Sequence, residues 1–467
     1  MLSDFLFCAQ KGGDKSLSNG GGTSAEAVVT PVSAEQGTAC EYVGDRRFPG
    51  ADKYLGGVRA ANGHIYAIPG HAKRVLRVVG DRVDLVGPSF DGKYKWLRGV
   101  AGRDGCVYGI PCHATRVLRI TPGASDDDEP RVEEFGRDLP GDWKWHGAVE
   151  DPATGRIYAI PQSAEQVLMI TPAEGGAPAR VDLVGPKMPG RWKFYGGLYS
   201  GGAVYGVPAC ATGVLRIGLN GTEDADISLI GDVPAGGWKW HGGAVTPDGC
   251  IWGIPSNSAT ILKIAPKAGR DGSDVVTQEP GPGGADLVGG RHRDDAKYKY
   301  LGGVVAADGC LYCIPSDADR VLRVDPVANS ASYVGADLGD LAEGQSRGQN
   351  KWQNGFRGRD GCVYAIPLKC ETVLRVDPRA PPDECVTTVG GPFEGLNLWE
   401  GGVEGNDGAL YCMPLKCDRV MRIMPPGTDR PAAPAAAAAP PAADVEPTAK
   451  AIEPANTFLP SFLVGCF

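Results

Sequence analysis

Residues 93–122 read KYKWLRGVAGRDGCVYGIPCHATRVLRITP, and residues 297–326 read KYKYLGGVVAADGCLYCIPSDADRVLRVDP. Both run from a lysine and an aromatic into glycine, through an Asp-Gly pair, to an apolar run closed by proline, then to Val-Leu-Arg. An Asp-Gly pair between two apolar runs supplies the positive φ of a tight hairpin. Proline closes the second run because it has no N–H to give a ladder. The third run alternates Val and Ile with Arg, a period of two.

Eight copies of this unit can be superposed. Their opening aromatics are Tyr54, Trp96, Trp145, Phe194, Trp240, Tyr300, Trp352 and Trp399, and their prolines are Pro69, Pro111, Pro161, Pro208, Pro255, Pro315, Pro367 and Pro414. The prolines are 42 to 60 residues apart. A fourth apolar run, RVDLVG at 82–87 or VTTVG at 386–390, follows in each copy but the last. Four short antiparallel strands per unit of this length make a propeller blade. CEYVG at 40–44 is a fourth strand without a unit before it, and the last copy ends at VMRIMPP, 420–426, without one after it. The expected fold is all-β: an eight-bladed β-propeller of four-stranded antiparallel blades, whose last blade is completed by an N-terminal strand. Seven blades with a degenerate copy is the alternative count.

The pattern KWxGG, DGxIYxIP, VLRIDP resembles a repeat found in β-propeller proteins of algae and other microbes, and more distantly the lyase-type and quinoprotein-like propellers. The resemblance spans residues 40–426 and implies a propeller with no single activity. Leu398 departs from it where other copies have Lys, as do Arg98 and Asn354 where others have Gly. The expected organisation is a disordered tail at 1–38, the propeller at 39–426, an Ala/Pro-rich linker at 427–455 and an apolar segment, NTFLPSFLVGCF, at 456–467.

The 467 residues carry 69 Gly and 38 Pro among 42% apolar residues, so a core is shared among many turns. A net charge of −9 argues against a nucleic-acid partner, which needs a basic field. No apolar run is long enough for a membrane span. MLSDFLFCAQKGG lacks the basic start and cleavage site of a leader, which predicts reduced cysteines and a cytoplasmic setting. No phosphate loop, dinucleotide fingerprint, nucleophile elbow or HExxH is present, so no cofactor or resident metal is implied.

Two columns of the alignment carry candidate function. Lys53, Lys95, Lys144, Lys193, Lys239, Lys299 and Lys351 each precede an opening aromatic, among them Trp96, Trp145 and Trp240. Seven ammonium groups round one mouth predict a positive funnel for an anionic small molecule or an acidic protein partner. The scaffold alternative pairs each lysine with a nearby aspartate or lays its stem over the aromatic. The second column lies two residues past the proline and varies: His71, His113, Ser163, Cys210, Asn257, Asp317, Lys369 and Lys416. His146 and His241 directly follow Trp145 and Trp240. The four histidines admit a second reading, a metal-assisted lyase or hydrolase. A third makes the chain a structural subunit docked through 456–467.

Cys106, Cys250, Cys310 and Cys362 recur at one place in the unit, which predicts packing, and the CxxC of 310–313 would point its thiols to opposite faces of a strand. A basic column, Arg77, Arg119, Arg216, Lys263, Arg323, Arg375 and Arg422, is expected to pair with acids, and SDDDE at 125–129 to be a solvated loop.

Overall fold

The structure, a computed structural model, describes residues 37–219, 226–339 and 348–428. The expected tail and linker lie mostly, and the segment 456–467 wholly, outside these residues. Eight four-stranded antiparallel sheets follow one another along the chain. In the first blade, β2 (Tyr54–Arg59), β3 (Ile65–Pro69), β4 (Val75–Val79) and β5 (Arg82–Val86) pair in order. Numbering in chain order, the last blade takes β30 (Trp399–Glu404), β31 (Leu410–Pro414) and β32 (Val420–Met424) from the end of the chain and β1 (Ala39–Val43) from its start. The register runs from Ala39 opposite Met424 to Val43 opposite Val420, so the ring closes without leaving β32 as an open edge. Arg422 strengthens this joint by donating to Glu41 (3.0 Å) and Asp81 (2.7 Å).

The core lies between blades. Trp96, Trp240 and Trp352 are fully buried, and Trp145 and Trp399 nearly so. Each of these five indole N–H groups donates to a carbonyl twenty or twenty-one residues on, as Trp96 does to Arg116 (2.9 Å), so the ring is anchored as well as packed. The middle strands, IYAIP of β3 and its equivalents, are buried at every position because sheets cover both faces. The basic column stands opposite the aromatic of the second strand, Tyr66 opposite Arg77 and Tyr364 opposite Arg375, and pairs with acids such as Asp84 (3.2 Å) and Asp377 (3.0 Å) as expected. Cys310 and Cys313 face different core layers, so their spacing makes no metal clip. The SDDDE loop differs from expectation. It is exposed yet docked on blade 1, with Asp126 on His64 (2.8 Å) and Asp127 on Arg82 (2.8 Å), because the loop is long enough to reach that blade's outer strand.

The inner strand of every blade has a register irregularity just after its opening aromatic, as between Tyr54 and Gly57. Such an extra residue bends the strand and re-aims side chains. It also brings inner backbones together: a Cβ added at Gly401 would lie 2.9 Å from the Gly56 Cα of the next blade.

A chain lacking residues 37–44 exposes β32 as an unpaired edge. Its thermal midpoint should fall, and light scattering should show more self-association than the intact chain does.

Candidate functional site

The lysine column does not form a positive funnel. All seven lysines are buried, at 0 to 6% exposure. Each ammonium donates to the carbonyl three residues before it, from Gly50, Gly92, Gly141, Gly190, Gly236, Ala296 and Gly348. In five, the same Nζ also reaches the preceding blade: Lys53 to Leu415, Lys95 to Gly70 and Ala72, Lys144 to Cys112, Lys193 to Ala164, and Lys239 to Ala211, at 2.8 to 3.0 Å. Burial lowers Lys95 and Lys144 to about 8, which leaves them charged at neutral pH. These lysines hold blade to blade at the mouth. Trp96, Trp145 and Trp240 are likewise core anchors and do not line the mouth. Neither aspartate pairing nor stem packing is the main role; a buried ammonium answers buried and part-buried carbonyls.

The residue before each lysine, and before Leu398 in the last blade, takes part in the mouth instead. Asp52, Tyr94, Trp143, Trp192, Trp238, Tyr298, Asn350 and Asn397 all have φ between 48° and 58°. Asn and Asp tolerate this left-handed conformation and aromatic residues do not favour it. Yet five consecutive blades place an aromatic there. Four of these rings form an arc: Tyr94 to Trp143 at 4.8 Å, Trp143 to Trp192 at 5.5 Å, Trp192 to Trp238 at 5.9 Å. Tyr94, Trp143 and Trp192 are partly exposed.

The post-proline column meets this arc. The backbone N–H of His113, Ser163, Cys210, Asn257 and Asp317 donates to the carbonyl of the left-handed residue in the same blade. His71 and His113 flank Tyr94, at 4.3 and 5.7 Å between ring centroids, and the Nε2 of each is buried without a partner among the described residues. Asp317 is a connector: it accepts from the Asn350 N–H of the next blade (2.6 Å) and from Arg293 (3.3 Å), and burial raises its pKa.

Beneath the mouth the residues after the opening aromatics form a second ring: Leu55, Leu97, His146, Tyr195, His241, Leu301, Gln353 and Glu400, all buried. His146 and His241 stack on Tyr195, each at 3.9 Å, with interplanar angles of 33° and 35°. Glu400 accepts from Arg98 (3.3 Å), Gln353 (3.4 Å) and Asn354 (3.4 Å) through one oxygen. Its other oxygen, and His146 Nδ1, are buried without a partner among the described residues. Arg98 and Asn354 occupy the next position at φ 65° and 58°, where the other six copies have glycine. Non-glycine residues held at left-handed positions cluster at functional sites. Arg98, His146, Tyr195, His241 and Asn354 line a central cavity of about 380 Å³.

Of the candidates read from sequence, the structure brings His146 and His241 to the cavity and His71 and His113 to the rim. Sequence reading missed Tyr195, Gln353 and Glu400, which share the His146 column, and noted Arg98 and Asn354 only as departures. Two imidazoles on opposite faces of one tyrosine cannot share an ion at about 2 Å from each nitrogen. Among the described residues no three His, Cys, Asp or Glu side chains gather as for a metal. No helix among them is long and apolar enough to cross a membrane.

The fold and the channel define an eight-bladed β-propeller with an aromatic-rimmed mouth. Similar solved structures are a streptogramin B lyase, 11% identical over 83% of this chain and 97% of that one with a TM-score of 0.46, and the virginiamycin B lyase of Staphylococcus aureus, 11% identical over 83% and 99% with a TM-score of 0.47. A luciferin-regenerating enzyme matches at 13% identity over 61% and 92%, TM-score 0.36. These likenesses concern the propeller fold alone. No family model and no curated protein matches the chain.

Lys95→Met should lower stability by about 2–3 kcal/mol in urea unfolding, because one buried and two part-buried carbonyls lose their donor. Burial lowers His241 to about 3, so the unfolded chain binds its proton first as pH falls below 6.5. Stability from the neutral ring is therefore present above pH 6.5 and lost below it. Between pH 6 and 4.5 the wild type should lose about 1.4 kcal/mol per pH unit more than His241→Phe; parallel profiles would refute this.

Proposed function

We propose that the protein is a binding propeller whose channel mouth takes an anionic small molecule with a flat, apolar body. The observation that carries the reading is the aromatic arc. Blades 7, 8 and 1 build the same left-handed turn with Asn350, Asn397 and Asp52, so the backbone alone does not require a ring there. Aromatic residues at Tyr94, Trp143 and Trp192, whose rings are partly exposed, carry backbone strain of about 1–2 kcal/mol each, which points to a use for their faces. Ring faces at a concave mouth bind planar or apolar bodies.

Charge on the other side of the mouth supports an anion. Lys369 and Lys416 stand in adjacent blades; burial lowers the Lys369 pKa, Asp317 opposes that shift and the Lys416 ammonium adds to it. Arg98 reaches into the cavity below. A ligand lying across the mouth would meet rings on one side and cations on the other. The metal-assisted reading gains no support from histidines separated in pairs by Tyr94 and Tyr195.

Quenching of tryptophan fluorescence by aromatic carboxylates and their uncharged amides tests this. The carboxylates should bind more tightly. Trp143→Ala with Trp192→Ala should weaken them roughly tenfold or more, and Lys369→Ala with Lys416→Ala should abolish the preference over amides. Equal affinity in the tryptophan variant and the wild type would overturn the proposal.

A further inference from the structure

A second cleft opens at the mouth-side end of blade 1, with a volume of about 410 Å³. It is built from the β1–β2 connection, which supplies Arg46, Arg47 and Phe48, and the β3–β4 connection, which supplies His71, Lys73 and Arg74. Among the described residues no aspartate or glutamate lines it, although the chain carries a net charge of −9. A concave site lined by cations alone in an acidic protein concentrates field and counter-ions.

The repeat supplies an internal control. Blade 2 has the equivalent cleft, with Phe90, Lys95, Trp96, His113 and Ala114 where blade 1 has Phe48, Lys53, Tyr54, His71 and Ala72. The scaffold residues are kept and the charges are not. Asp91 and Glu134 line the second cleft where the first has Pro49 and Leu85, and Ser89 and Thr115 stand where the first has Arg47 and Lys73. The basic lining is therefore written into one blade and is not a by-product of the fold.

The cations are available. Arg46 lies over the Phe48 ring at 5.6 Å and has no carboxylate partner among the described residues. Arg47 pairs with Asp418 at 2.6 Å and Lys73 with Asp91 at 3.2 Å, but these are exposed pairs, of the kind that contributes little and yields to a better anion. Arg74 is fixed in place by donating from Nε to the Gly87 carbonyl (2.7 Å), with its Nη2 3.8 Å from Glu129. His71 Nε2 is buried and unpartnered. Phe48, Pro49 and Leu85 supply an apolar wall beside these groups.

We propose that this cleft binds the phosphate of a small phosphate monoester, with Arg46, Lys73 and Arg74 on the phosphate oxygens and the ester's apolar body against Phe48 and Leu85. A dianion with three acceptor oxygens matches a guanidinium cluster in geometry and in charge. The site shares His71 with the rim of the mouth but uses none of the rings of the arc, and it does not depend on the mouth binding anything.

Calorimetric titration of the full chain with phenyl phosphate and with inorganic phosphate tests this. One equivalent of phenyl phosphate should bind, more tightly than inorganic phosphate. Arg46→Ala with Lys73→Ala should weaken it roughly tenfold or more, and Lys73→Arg should retain it. Trp143→Ala with Trp192→Ala should leave it unchanged, which separates this site from the mouth. Absence of binding at millimolar phenyl phosphate, or binding lost in the tryptophan variant and kept in Arg46→Ala with Lys73→Ala, would overturn the proposal.

Discussion

One contact recurs round the ring and the rest of the mouth depends on it: a buried lysine ammonium answering carbonyls of its own loop and, in five blades, of the preceding one. Burying a charge costs several kcal/mol unless its donors are satisfied. Lys95, with Gly70, Ala72 and Gly92 as acceptors, meets that condition. Because the bonds cross between blades, they fix the angle of one sheet to the next as well as the loop itself. The left-handed residue just before each lysine is held in consequence, and Tyr94, Trp143 and Trp192 are presented on a backbone that has little freedom to relax.

A repeated scaffold separates what holds the ring from what varies on it. Positions filled alike, such as Trp96 and Trp240 or Lys144 and Lys193, are packed or hydrogen-bonded inside the structure. Positions that change from copy to copy surround the open space: Leu97 becomes His146, Tyr195 and Glu400 at one step of the ring. His146, Tyr195, His241, Gln353 and Glu400 make five positions of that layer polar, and the leucines of blades 1, 2 and 6 make the other three apolar.

The strands, the blade count and the closing partnership of β1 with β32 were legible because each rests on local signals: Asp-Gly turns, alternating runs and prolines at fixed places. The role of the lysines was not. Sequence places a lysine beside an aromatic but does not tell an ammonium in water from one beneath three carbonyls. A signal existed in the glycine three residues earlier, at Gly50, Gly92, Gly141, Gly190, Gly236 and Gly348, whose recurrence marks a turn closing on that lysine. His146 and His241 were legible as unusual letters in their column. Tyr195 and Glu400 were not, because a tyrosine or glutamate near a strand start is ordinary until the strand is known to line a channel. Arg98 and Asn354 stood out only as lost glycines, and their meaning needed the positive φ that those glycines serve.

The joint between β1 and β32 also sets how the ring responds to force. Ala39, at the start of one strand, lies opposite Met424, at the end of the other, so the chain enters and leaves at the same end of the ladder. Tension between these two points loads the pairs one after another, as a zipper is drawn, and not all five together in shear. The ring is thus strong against pressure from within and weak against a pull on its ends. Arg422, bonded to Glu41 near the middle of the ladder and to Asp81 of blade 1, is the catch at which such peeling would pause.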